Sequence, residues 1–224
     1  MMQLQTGFIH DAASGETGER ILLLMLPGAK NTPQQLEENG FIRELRVRNL
    51  PVDVLALDAH ADLYLERADI ERVLHRVLDE ARGHGYSRIW LLGISLGGSG
   101  AMICATQRTR EIEGIFLLAP FLGTRGIIAE VEAAGGLNHW RAGDIGCRDY
   151  ERMLLEQIQR SPLDTGDFPP IYLGYGTEDR YRGASILLAQ RLPPDRVTAS
   201  PGGHDWETWI KLWRMLLDRQ PFVI

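Results

Sequence analysis

The sequence predicts an α/β fold, a mostly parallel central sheet with helices on both faces, and three observations carry that prediction. Short apolar or β-branched runs recur at 20–26, 52–58, 88–94, 114–119, 171–176 and 196–200. They are continuous rather than alternating, as strands are when both faces of the sheet are covered. Between them lie segments with helical period, and strands that alternate with helices build parallel sheets. A chain of 224 residues with 44% hydrophobic content suits one domain spanning 1–224.

Taken in order, residues 4–9 offer an edge strand paired antiparallel, with 11–19 as a Gly- and Ser-containing turn back into the sheet. The run 20–26 is the first central strand, and a helix is expected over 33–47. After the strand at 52–58 comes the clearest helix, 65–82, in which Ile70, Val73, Leu74, Val77, Leu78 and Ala81 repeat at the spacing of one buried face. The strand at 88–94 leads into a helix over 97–108, and 114–119 is the next strand. Residues 121–168 contain no convincing strand and exceed an ordinary connection, so they are expected to form an inserted cap. Short helices at 127–134 and 150–160 are expected within it, with Gly135-Gly136 as a break. There Leu137, Trp140, Met153, Leu154 and Ile158 either cover the sheet or line a substrate pocket, and the sequence leaves both open. The strand at 171–176, a helix over 182–192, the strand at 196–200 and a helix from His204 or Asp205 to Leu217 complete the chain.

Thirty acidic against twenty-four basic residues give a formal charge of -6. No basic run interleaved with aromatics follows a phosphate backbone, so nucleic acid is not expected as a partner. Residues 1–6 lack the charged-then-apolar pattern of a secretion signal, and no apolar run approaches the roughly 20 residues that span a bilayer. A cytoplasmic protein is the resulting expectation. Cys104 and Cys147 have no metal-ligand spacing and are expected to be free thiols; no metal or other cofactor is called for. Monomer and homodimer both remain open.

The chemistry starts at Gly93-Ile94-Ser95-Leu96-Gly97, a Gly-x-Ser-x-Gly pentapeptide set between a strand and a helix. That context is what a nucleophile elbow requires: the serine sits on a strained turn, and side chains in place of the glycines would collide with neighbouring backbone. A serine hydroxyl is a weak nucleophile at neutral pH and needs a base, itself oriented by an acid. Of the histidines at 10, 60, 75, 84, 139 and 204, only His204 follows a late strand in a glycine-bearing loop, Gly202-Gly203-His204-Asp205-Trp206. His204 is therefore the candidate base. His75 and His84 belong to the long helix and its end, His10 and His60 to loops, and His139 to the expected cap. The acid should follow the preceding strand, where Glu178 and Asp179 compete. Asp179 is favoured because it lies farther along the turn and its short side chain suits a fixed bond to imidazole, while Asp205 reads as a helix cap. One backbone donor for an oxyanion is the Leu96 N–H, next to the nucleophile.

The order Ser95, Asp179, His204 and their placement after successive strands resemble the α/β-hydrolase superfamily, above all its small bacterial esterases with a short cap, from about Ile21 to the end. The stretch from Gly202 to Trp209, Gly-Gly-His-Asp-Trp-x-x-Trp, is similar to one in esterases of the esterase D type. The resemblance implies an α/β-hydrolase sandwich with a short inserted cap. It also implies a second oxyanion donor in the loop after the first central strand, here the Ala29 amide, although this chain has Pro27-Gly28 where many relatives have His-Gly. Gly28, His60, Trp140 and Trp206 are candidates for substrate contact. The expected activity is hydrolysis of a small carboxylic ester through an acyl-enzyme. A thioester or lysophospholipid substrate, and a binding module that has kept the fold without turnover, are the alternatives.

Overall fold

A computed structural model describes residues 7–13, 20–163 and 165–222. Its seven strands are β1 (Phe8–Asp11), β2 (Ile21–Leu26), β3 (Val52–Leu57), β4 (Arg88–Ile94), β5 (Gly114–Leu118), β6 (Ile171–Gly176) and β7 (Val197–Ser200). They form one sheet in the order β1-β3-β2-β4-β5-β6-β7, and β1 alone runs antiparallel, along β3. Of the edge strand expected at 4–9, residues 4–6 lie outside the described residues, as do 14–19 of the expected turn; the observed strand starts at Phe8 and ends at Asp11.

The helices are α1 (Pro33–Glu38), α2 (Phe41–Val47), α3 (Arg67–Gly83), α4 (Leu96–Gln107), α5 (Arg125–Ala133), α6 (Tyr150–Arg160), α7 (Arg182–Ala189) and α8 (Trp206–Leu217). The single helix expected over 33–47 is two. Gly40 adopts φ 86°, outside the helical region, and its N–H closes a tight turn onto the Glu37 carbonyl at 2.9 Å. Glycine takes that conformation without the strain a Cβ would bring, so the chain turns there.

Alternation along each strand divides the core in two. Leu22, Leu24 and Leu26 of β2 face one layer with Ile70, Leu74 and Leu78 of α3 and the buried residues of α4. Ile21, Leu23 and Met25 face the other, with Phe41 and Leu45 of α2 and Trp209, Leu212 and Trp213 of α8. Both faces of β2 and β3 are fully buried, which is why those runs carry no polar alternation.

The segment between β5 and β6 divides its labour. Leu154, Leu155 and Ile158 of α6 are buried in the same core layer as α4, and Gln157 Oε1 accepts from Arg67 Nη2 at 2.7 Å. This half packs against α4. In the loop between α5 and α6, Trp140 is only 1% exposed; its Nε1–H donates to Glu130 Oε1 at 2.9 Å, and Arg152 pairs with the same carboxylate. Among the described residues of this segment, those that reach the cavity described next lie between Ala119 and Glu132.

Candidate active site

The carboxyl ends of β4, β6 and β7 bring Ser95, Asp179 and His204 together. His204 Nδ1 lies 2.7 Å from Asp179 Oδ2, and His204 Nε2 lies 2.9 Å from Ser95 Oγ. Asp179 is 1% exposed, and its other oxygen accepts the Tyr181 N–H at 2.7 Å. A buried carboxylate accepts, so the proton between the two residues sits on Nδ1, and Nε2 is left to accept from the serine hydroxyl. Glu178, the competing acid, is exposed.

Each side chain is held by a local constraint. Ser95 joins β4 to α4 with φ 51° and ψ -117°, a backbone geometry disfavoured for a residue with a Cβ. Its N–H donates to the Leu118 carbonyl at 3.0 Å, and its carbonyl accepts from Phe121 N–H at 2.8 Å and Gly98 N–H at 2.9 Å, so the strained turn is fixed from both sides. The flanking glycines are obligatory on steric grounds: a Cβ on Gly93 would lie 2.5 Å from the Gly97 carbonyl oxygen, and one on Gly97 would lie 2.0 Å from the Leu26 carbonyl oxygen. The loops bearing Asp179 and His204 are bonded to each other, Thr177 N–H to the Ser200 carbonyl at 2.9 Å and Glu178 N–H to the Gly202 carbonyl at 3.0 Å. Gly176 permits that approach, since a Cβ there would meet the Gly202 oxygen at 2.2 Å. Asp205 caps α8 by accepting the Thr208 N–H at 2.9 Å, and that backbone hydrogen bond is the main cause holding its carboxyl below the usual range. It faces away from the role of orienting acid.

Two aromatic rings pack against the imidazole. Tyr181 and Trp209 have ring centroids 5.1 Å and 5.0 Å from that of His204, both nearly perpendicular to it. Ser95 and His204 open onto a cavity of about 1100 Å³, lined among others by Ala29, Leu96, Pro120, Phe121, Ile128, Tyr181 and Trp209. Leu96 is the first residue of α4, so its N–H has no partner within the helix. Ala29 occupies the first central position of a turn closed by Asn31 N–H to the Gly28 carbonyl at 2.9 Å, which leaves its own amide outside that bond. Both residues border the cavity beside Ser95. Gly28 lies just behind them: a Cβ there would come 3.4 Å from Ser95 Cβ and 2.6 Å from Asn31 Oδ1. Its part is close approach to the elbow rather than a place on the cavity wall.

Three of the expected substrate contacts lie elsewhere. Trp140 is held inside the fold by its bond to Glu130. The His60 side chain is 52% exposed, beside Asp62, and lies off the cavity wall. Trp206 turns its ring against Phe41 and Trp209, and it is Trp209, one helical turn on, that borders the cavity. The first turn of α8 therefore presents the opposite member of the pair from the one adjacency to His204 suggests. The sequence reading passed over Phe121, Arg125, Arg180 and Tyr181, all on the cavity wall. Tyr181 had one signal available, its place two residues after the acid, where a backbone amide turns back to an aspartate; the others had none. Among the described residues no group of three His, Cys, Asp or Glu could hold a metal ion, and no helix is long and apolar enough to cross a membrane.

The seven-stranded sheet, the strand-elbow-helix at Ser95 and the later strand ends that carry Asp179 and His204 define the α/β-hydrolase fold. No protein-family model matches the sequence, and no curated protein matches it. Solved structures do. The S-formylglutathione hydrolase FrmB from Staphylococcus aureus is 13% identical with a TM-score of 0.65, over 92% of this chain and 83% of that one. Est1E from Butyrivibrio proteoclasticus, solved with ferulic acid bound, is 15% identical with a TM-score of 0.64, over 97% and 96%. A monoacylglycerol lipase from Paleococcus ferrophilus is 14% identical with a TM-score of 0.65, over 98% and 99%.

Proposed function

We propose that this protein is a serine hydrolase that cleaves a small carboxylic ester. The observation that carries the reading is the unbroken hydrogen-bonded relay from buried Asp179 through His204 to Ser95 Oγ, opening on a cavity. Ser95 Oγ attacks the ester carbonyl while His204 Nε2 takes its proton, and the negative charge that develops on the carbonyl oxygen is met by the Leu96 and Ala29 amides. The imidazolium returns the proton to the departing alkoxide as the carbon–oxygen bond breaks, leaving an acyl-Ser95 ester. Water, deprotonated by the same imidazole, then releases the carboxylic acid and restores the serine. Asp179 holds the imidazole in the tautomer that accepts at Nε2 and balances its charge once protonated. The names of the structurally similar proteins, hydrolase, lipase and a ferulate-binding esterase, agree with this chemistry.

The test is hydrolysis of 4-nitrophenyl acetate and longer acyl esters by the wild type and Ser95→Ala, with fluorophosphonate labelling of both. The wild type should turn over and be labelled, and the variant should lose on the order of 10⁶-fold in kcat. Equal hydrolysis by the two folded proteins would overturn the proposal.

A further inference from the structure

The cavity is more positive than the molecule that contains it. The chain carries a formal charge of -6, yet the charged residues on the cavity wall are Lys30, Arg125 and Arg180 against Glu132. Several arginines elsewhere are matched with carboxylates, as in Arg46 with Asp11, Arg88 with Glu113, Arg108 with Glu111 and Arg152 with Glu130, and others, such as Arg82 and Arg191, donate to backbone carbonyls. Among the described residues Arg125 and Arg180 have no such partner. Both guanidiniums instead sit over one ring, that of Tyr181, at 5.4 Å and 4.7 Å from its centroid, and the same ring packs against His204. Two unneutralised cations are thus held one aromatic ring away from the base.

Their placement works against the helices they adjoin. Arg125 is the first residue of α5 and Arg180 lies just before α7, and neither helix has an acidic residue in its first turn. A cation at a helix N-terminus faces the positive end of the macrodipole, so the helices do not favour either one where it stands. The Glu151 carboxylate near the start of α5 is occupied by the Thr124 N–H at 2.9 Å and the Thr124 hydroxyl at 2.8 Å.

We propose that the ester turned over at this site carries a second, anionic group, a carboxylate or a phosphoryl group, which Arg125 and Arg180 hold at the cavity mouth while Ser95 attacks the ester carbonyl. Guanidinium suits this task because its planar donors match the oxygens of both anions, and Tyr181 restricts where the two forks stand. The inference rests on the hydrolase reading of Ser95, Asp179 and His204.

Three chromogenic esters test it: the 4-nitrophenyl monoester of adipic acid, its neutral carboxamide isostere, and 4-nitrophenyl 5-phosphonopentanoate. The wild type should favour an anionic ester over the carboxamide by about tenfold in kcat/KM, the size expected for two partly screened charge contacts. The two anionic arms decide between carboxylate and phosphoryl recognition. Raising the salt concentration should shrink the preference. R125Q/R180Q should abolish it, R125E/R180E should invert it, and R125K/R180K should retain part of it, whereas R110Q on the far surface should leave the ratio as it was. Hydrolysis of the carboxamide without an anion preference, or a preference that survives R125Q/R180Q, overturns this inference and leaves the hydrolase reading standing. No hydrolysis of any of the three esters overturns both.

Discussion

The two ends of the sheet handle polar groups in opposite ways. At the amino end, Asp53 of β3 accepts from Tyr86 Oη at 2.7 Å, from Ala13 N–H at 2.7 Å and from Arg20 Nη2 at 3.1 Å, and the Arg20 guanidinium also stacks over the Tyr86 ring. Donors and acceptors there close on each other. At the carboxyl end the serine backbone is strained, Leu96 and Ala29 border an open cavity, and Arg125 and Arg180 stand on its wall with no carboxylate bonded to either among the described residues. Strain and unmatched polarity both cost stability, so a fold keeps them where something outside the chain completes them. The contrast separates residues that hold this molecule together from those that wait for a substrate.

Substitutions can break that contrast. The largest effect is expected from Asp179→Asn, which keeps the side-chain shape and an acceptor for Tyr181 N–H but no longer holds the productive imidazole tautomer. Steady-state kinetics should show kcat lower by about 10⁴-fold with an unchanged melting temperature. A shift in stability with activity kept would place Asp179 with the structural end instead. Gly97→Ala should lower stability as well as turnover. Its Cβ would meet the Leu26 and Pro27 carbonyl oxygens at 2.0 Å and 2.7 Å, backbone atoms of a central strand and its exit that cannot swing aside, and roughly 3 kcal/mol should be lost in urea denaturation.

The smallest effect belongs to the amino end, where Asp53→Asn should cost about 1–3 kcal/mol without altering kcat. Burial disfavours the Asp53 carboxylate, but the bonds from Tyr86, Ala13 and Arg20 outweigh it and hold its pKa below the ordinary value of 3.8. A depressed folded-state pKa stabilises fully above the unfolded value and is lost as pH falls through the folded one. The wild type should therefore lose its advantage over Asp53→Asn below about pH 4, in denaturation curves taken from pH 7 to pH 3. Parallel curves across that range would remove Asp53 from the stabilising network.

Much of the molecule was legible because its signals are local. Uninterrupted apolar runs located β4 and β6 to the residue, and the i, i+3, i+4 pattern of Ile70, Leu74 and Val77 found the buried face of α3. Gly93, Ser95 and Gly97 announce a turn whose crowding allows nothing larger than glycine at its flanks. Strand order along the chain then pointed to Asp179 and His204, which the fold brings into hydrogen-bond contact. What stayed hidden depends on rotation about an axis or on distance in space. Whether Trp206 or Trp209 borders the cavity is set by the phase of α8 relative to its Asp205 cap. The joint placement of Arg125 and Arg180 over Tyr181 comes from the packing of α5 and α7, elements far apart in sequence. Trp140 looked like a pocket residue because nothing local discloses the Glu130 carboxylate that receives its indole N–H.

The clasp of Glu130, Trp140 and Arg152 has a bearing on how such a protein changes over time. It closes the connection from α5 to α6 upon itself, and no residue of that connection borders the cavity. A longer or rewritten stretch at positions 146–148, all exposed, would leave in place the Ala142 carbonyl and the Asp149 carboxylate that also hold Arg152. A laboratory library confined to Gly146, Cys147 and Arg148 would sample new surface without changing any residue on the cavity wall.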